Sequence, residues 1–247
     1  MGGSGGDAMA MIGFVRAICL LAAAGSASAA TLQPFAGSAS TPLAPWQVGG
    51  LPQQTKPFTH FSVVDLDGHR ALRVEANLSY GNLVHPLQMT AANNHLAWQW
   101  RLDEPNLAVD LHQRQGDDIA LKVCTLWDMP IDKVPFLERQ LLRVARSRAG
   151  EPLPAATVCY VWDPFLPLGT ALDSPFTRRL RYIVLRSGTE RLHQWMPERR
   201  DITADFLKLF GAETNEVPPL VGVAIGADAD NTQGRSVGHV ADMVLDP

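Results

Sequence analysis

Eight short runs rich in β-branched and aromatic residues constrain this chain more than any other feature. They are Phe61–Asp65, Ala71–Leu78, His95–Leu102, Ile119–Trp127, Thr157–Trp162, Leu180–Arg186, Leu220–Ile225 and Val237–Leu245, separated by Gly, Pro, Asn or Asp. Runs of this length and composition fit pleated, half-buried strands. A further strand is expected near Trp46 and Val48. Asp67-Gly68 between two runs is a tight hairpin signal, because both residues tolerate the positive φ of a two-residue turn. Along His95–Leu102, Leu96, Trp98, Trp100 and Leu102 share one face and Ala97, Gln99 and Arg101 the other, the pattern of a sheet with one side on a core. Leu180–Leu185 is apolar on both faces and reads as an interior strand.

Two segments have helical spacing instead. Asp132 to Arg148 carries Leu137, Leu141, Val144 and Ala145 as its apolar positions, with Asp132 as cap and Pro135 in the first turn. Arg139, Arg143 and Arg146 form the other face, which fits solvent or an anionic envelope surface. Asp201 to Phe210 reads as a second helix, capped by Asp201, striped by Ile202, Phe206, Leu209 and Phe210, and stopped at Gly211. Many strands and two inserted helices predict a mainly β chain, a single-domain jelly-roll-like β-sandwich.

The first thirty residues read as an address. An apolar stretch from Ile12 to Ala24 is followed by Ala27-Ser28-Ala29, so residues 1–29 are expected to be a cleaved signal peptide, 30–43 a flexible leader and 44–247 the sandwich. The stretch is too short for a stable span, and no transmembrane segment is expected after cleavage. The protein is therefore expected in the periplasm or secreted. There Cys124 and Cys159 either pair as a disulfide or remain two buried thiols. With 21 Lys plus Arg against 25 Asp plus Glu, a net charge of −4 and no basic block, nucleic acid is excluded as a partner.

Two polar clusters could carry chemistry. Asp228-Ala229-Asp230-Asn231-Thr232 follows a buried-looking strand, and Asp228, Asp230 and Asn231 could offer three oxygens to a calcium ion, the one cofactor the sequence raises. The EF-hand pattern fails, with Gln233 and His239 at its sixth and twelfth positions, and the same run also reads as a strand-ending turn. In Gly116-Asp117-Asp118, successive carboxylates point to opposite faces. Asp118 and Lys122 share a face as either a ligand-binding pair or a surface ion pair. Asp103 and Asp110 stand at strand ends. Six tryptophans provide flat faces of the kind that sugars stack on. Trp98 and Trp100 are in phase with the core, which leaves Trp127 and Trp162, each followed by Asp, as rim candidates. Gly222 and Ala224 leave room on one strand face for a ligand or another backbone. No nucleophile elbow, zincin, P-loop or dinucleotide motif occurs, and the seven histidines lack ligand spacing.

Taken in order, Trp98-Gln99-Trp100-Arg101, Gly116-Asp117-Asp118-Ile119-Ala120-Leu121-Lys122-Val123, Tyr160-Val161-Trp162, Arg200-Asp201 with Asp205, Phe210-Gly211 and Asp228-Ala229-Asp230-Asn231-Thr232 resemble a secreted bacterial family, domain of unknown function 3047. The resemblance spans about residues 44–245 and implies a sandwich similar in kind to galactose-binding-like modules. The chain departs from the family pattern at Lys122, where the pattern has Arg, and at Cys124. The expected function is a non-enzymatic envelope module that binds a glycan, another polar ligand or an envelope component. Its cleft is expected to hold Asp117, Asp118, Lys122, Asp228, Asp230 and Asn231, with Trp127 or Trp162 as walls. The alternatives are a polysaccharide-acting enzyme using Asp118 and Asp230 as acid and base, and a structural envelope protein without a small ligand.

Overall fold

The computed structural model describes residues 31–51, 53–89, 94–149 and 153–246. The expected signal peptide lies outside the described residues. Two sheets face each other across a single main core. One has seven strands in the order β1 (Gln47–Gly49), β4 (Tyr80–Met89), β11 (Leu220–Asp228), β6 (Lys122–Trp127), β7 (Ala156–Asp163), β9 (Leu180–Ser187) and β8 (Ala171–Asp173). The other has five, in the order β10 (Met196–Asp201), β5 (His95–Glu104), β12 (Arg235–Asp246), β3 (His69–Asn77) and β2 (His60–Leu66). All pairings are antiparallel except β7 with β9. The chain is a single, mainly β, jelly-roll-like sandwich, as its strand pattern predicts.

Alternation explains the layers. Leu96, Trp98, Trp100 and Leu102 of β5 all point inward and are buried, while Gln99, Arg101 and Asp103 face out. Indole and phenol rings carry much of the core: Trp98 lies 5.4 Å from Tyr160 and Trp100 5.8 Å from Trp162, centroid to centroid. α2 (Ile202–Phe210) adds Ile202, Phe206 and Phe210, with Phe206 5.0 Å from Trp127. Its cap is the expected one, the Asp201 carboxylate accepting from Ala204 N at 2.9 Å. The β2–β3 hairpin turns on Asp67 (φ 51°) and Gly68 (φ 85°).

Three expectations change. Trp127 and Trp162 are core residues, not rim residues. Both are buried, Trp127 Nε1 donating to Thr125 Oγ1 and Trp162 Nε1 to Gly188 O, because their strand phase points them between the sheets. Within the expected flexible leader, residues 30–43, the described part packs on the sandwich: Phe35 is buried, Gln33 N donates to His85 Nε2 at 3.0 Å, and Val63 N donates to Ser40 O at 2.7 Å. The first helix begins later than its cap signal, at α1 (Phe136–Ala149), and buries Leu142 rather than Leu137, Leu141 or Val144.

A second apolar layer covers the outer side of the seven-stranded sheet. Leu111 and Ile119, on the β5–β6 connection, pack on Cys124, Cys159, Val161, Tyr182, Val184 and Ala224. Ala224 belongs to this layer, and a side chain at Gly222 would meet the His85 carbonyl oxygen of β4 at 3.0 Å, so the room there is taken by another backbone and not by a ligand. Cys124 and Cys159 are direct cross-strand partners of β6 and β7 and form a disulfide. The bond closes a loop of 35 residues' separation, so its loss should cost about 4 kcal/mol by the chain-entropy relation. A Cys124→Ala/Cys159→Ala variant should show a lower urea midpoint and a larger m-value, because its unfolded state is no longer cross-linked. Dithiothreitol should lower the midpoint of the native chain and leave that of the variant alone.

Candidate functional site

The two polar clusters, more than a hundred residues apart in sequence, meet on the outer side of the seven-stranded sheet. Gly116 makes the approach possible. A side chain there would strike Asp110 N at 2.6 Å, and this close packing folds the 110–116 loop on itself. The next two carboxylates then diverge. Asp117 accepts from Ser174 Oγ (2.9 Å) and Tyr182 OH (3.0 Å). Asp118 accepts from Asn231 N (3.1 Å), Thr232 N (2.7 Å) and Thr232 Oγ1 (2.5 Å), so it holds the turn after β11. Asp110 bonds within its own loop, to His112 N and Gln113 Nε2.

Lys122 does not pair with Asp118. Its Nζ donates to Asp228 Oδ1 at 2.9 Å and lies 5.1 Å from the centre of the Tyr80 ring. Ile119 N donates to the same Asp228 oxygen at 3.1 Å. Asp117, Asp118, Lys122 and Asp228 are each at most 5% exposed. Burial pushes Asp228 up to about 6 despite the ammonium beside it, and it raises Asp117 as well, against the hydrogen bonds of Ser174 and Tyr182. Lys122 is raised against its own burial by the charge of Asp228. At neutral pH the pair is therefore ionised.

The calcium reading does not fit this geometry. An ammonium occupies the cation position at Asp228, and the side-chain amide of Asn231 donates to Asp117 O at 3.1 Å, turning its nitrogen inward. Among the described residues, no three His, Cys, Asp or Glu side chains group as a metal site would require. The Asp118–Asp230 acid/base pair also fails, since Asp118 is buried with its oxygens committed to the turn. Asp230 differs from the rest of its cluster. It is half-buried, one carboxylate oxygen has no partner, and burial followed by the charge of Asp118 raises its pKa.

The open polar surface lies on the other sheet. A groove of about 500 Å³ on the outer side of the five-stranded sheet is lined by Arg73, Asp103, Glu104, His193, Arg235 and His239 over Val64, Leu66 and Val237. Asp103 is its hub. It accepts from Arg101 Nε at 2.6 Å, and His193 Nδ1 and His239 Nδ1 lie 3.0 and 3.3 Å away. Burial lowers His239 and favours its neutral ring. Trp195 stands beside it, 6.5 Å from His239 and 4.6 Å from His69, and is the one tryptophan outside the buried set. Sequence spacing could not reveal this group, because His69, His193 and His239 come from three separate segments. The one available signal was the outward phase of Arg101 and Asp103 on a strand whose inward phase was clear.

Fold and site define a disulfide-bonded β-sandwich with a buried ion-pair clamp on one face and an open ionisable groove on the other. The chain belongs to the family described as Protein of unknown function (DUF3047), whose model matches residues 44–244. No curated protein sequence matches it. Solved structures it resembles include the xyloglucanase domain of NopAA, a type three effector from Sinorhizobium fredii, in complex with cellobiose, at 8% identity over 81% of this chain and 92% of that one, TM-score 0.42. Another is TmCBM61 in complex with β-1,4-galactotriose, at 11% identity over 82% and 88%, TM-score 0.35. A third is Trichoderma harzianum endoglucanase 3 from family GH12, at 8% identity over 83% and 98%, TM-score 0.34.

Replacing Lys122 with Met should orphan a buried carboxylate and cost about 3–5 kcal/mol at pH 8, and less at pH 5, where Asp228 takes a proton. The native pKa of about 6 exceeds the ordinary 3.8. The folded state therefore holds a proton that the unfolded chain has lost between those values. This group's contribution to stability falls as pH rises from about 4 to 6 and is flat above. Asp228→Asn should remove that slope in urea titrations across the range.

Proposed function

We propose that the protein is a non-enzymatic binding module of the cell envelope, and that it takes a carbohydrate or similarly polyhydroxylated ligand in the groove of the five-stranded sheet. The observation that carries this reading is the groove's composition: carboxylates, guanidiniums and imidazoles arranged over an apolar floor of Val64, Leu66 and Val237. A sugar ring presents the complementary surface, with hydroxyls at its edge and C–H groups on its face. Guanidinium and carboxylate groups can each engage two neighbouring hydroxyls. The volume lies within the range of about 300–1,000 Å³ usual for ligand sites.

The clamp of Asp117, Asp118, Lys122, Asp228 and Asn231 serves the fold in this reading, and Asp230 stands apart from the groove with one carboxylate oxygen buried and unpaired. Export is supported by the Cys124–Cys159 disulfide, a bond that persists in oxidising compartments, and by the apolar Ile12–Ala24 stretch. Among the described residues, no helix is long and apolar enough to cross a membrane.

Calorimetry against a panel of soluble oligosaccharides tests the reading. At least one should bind with micromolar to millimolar affinity. Arg73→Ala and Asp103→Asn should each weaken it tenfold or more, about 1.4 kcal/mol, while Asp230→Asn, outside the groove, should leave it unchanged. Absence of heat for every glycan at millimolar concentration would overturn the carbohydrate assignment.

A further inference from the structure

We propose that α1 docks the protein onto an anionic phospholipid surface, lying in the plane of the headgroups. The helix is turned against the usual rule. A surface helix of a globular protein buries its apolar stripe, yet Phe136, Leu137, Leu141 and Val144 are 49–75% exposed and only Leu142 reaches the core. Leu137, Leu141 and Val144 are spaced i, i+4, i+7 and so form one continuous outward stripe. Phe176, also exposed, continues the patch: its neighbour Thr177 donates from Oγ1 to Glu138 in the first turn of α1.

Charge identifies the occupant. The α1 sequence contains Arg139, Arg143, Arg146 and Arg148 against a single acid, Glu138, which is itself directed at Arg179. Among the described residues, no carboxylate lies within ion-pair distance of Arg139, Arg143 or Arg146. Arg114, 5.5 Å over the Phe176 ring, has none either. The sheets contrast with this: Arg73, Arg101, Arg200 and Arg235 each stand on a carboxylate. Arg139 and Arg146 turn to the protein side of the helix, Arg146 Nε donating to Leu153 O at 2.8 Å, but the exposed Arg143 and Arg114 border the apolar stripe with no carboxylate of their own, in a chain whose overall charge is −4. A second copy of the chain would set Arg143 and Arg114 against their own counterparts. A bilayer with acidic headgroups supplies phosphates for the arginines and an acyl boundary for the leucines and phenylalanines. Fourteen residues make a helix about 21 Å long, which suits lying on the surface and is too short to span it.

The test uses the chain from Thr31 onward, which contains the whole sandwich and lacks the apolar Ile12–Ala24 stretch that could itself enter lipid. It should co-sediment with vesicles of phosphatidylglycerol mixed with phosphatidylcholine, stay in solution with phosphatidylcholine alone, and be released by high salt. Leu137→Ser/Leu141→Ser and Arg143→Glu should each lower the bound fraction at least tenfold. These side chains are exposed, so the melting temperature should hold, and its measurement separates lost docking from lost fold. No binding to acidic vesicles, or equal binding by the variants, would overturn the proposal. So would a dimer in sedimentation equilibrium that Leu137→Ser/Leu141→Ser dissolves, because a second copy would then cover the stripe.

Discussion

One buried charge pair ties the seven-stranded sheet to the loops that cover it. Lys122 begins β6, Asp228 ends β11, and the carboxylate that neutralises the ammonium also accepts the Ile119 amide. That amide belongs to the connection that lays Leu111 and Ile119 over the disulfide layer. Asp118, one residue upstream, holds the far side of the same turn through Asn231 and Thr232. Such a pair adds little stability over an apolar substitute, but losing either partner leaves a charge stranded away from water. The arrangement fixes where two distant segments meet.

The two faces of the molecule are built differently as a result. On the seven-stranded side, polar groups are consumed by one another and covered by loops. On the five-stranded side, Asp103, His193 and His239 face a groove, with Trp195 beside them. There His193, Glu104 and Arg235 keep accessible side chains, 42–63% exposed, and ionisable groups that are clustered and accessible are better placed to meet a ligand than buried ones.

Strand periodicity made most of this architecture legible. The Trp98 strand, the Asp67-Gly68 hairpin and the Asp201-capped helix each contain a local signal that the packing preserves. β4 was hidden because His85 and Pro86 interrupt its apolar run, although Pro86 is exposed. The convergence of the Asp117 and Asp228 clusters depends on sheet order, which no local pattern encodes. The same limit hid the histidines of the groove. Helical spacing around Leu137 located the helix correctly and its buried face incorrectly: periodicity marks the apolar stripe, and contact with the core selected Leu142 instead.

The position of β12 has a consequence for how the chain reaches this state. Residues 235–246 are nearly the last in the sequence, yet they form the middle strand of the five-stranded sheet, between β5 and β3. Both neighbours are synthesised more than a hundred residues earlier and have no partner on that side until β12 arrives. The sandwich therefore cannot close from its N-terminal end as it emerges, and its nucleus includes contacts of high sequence separation, which slow folding. The five-stranded sheet stays open until β12 has been made, and until then two unpaired strand edges must be shielded.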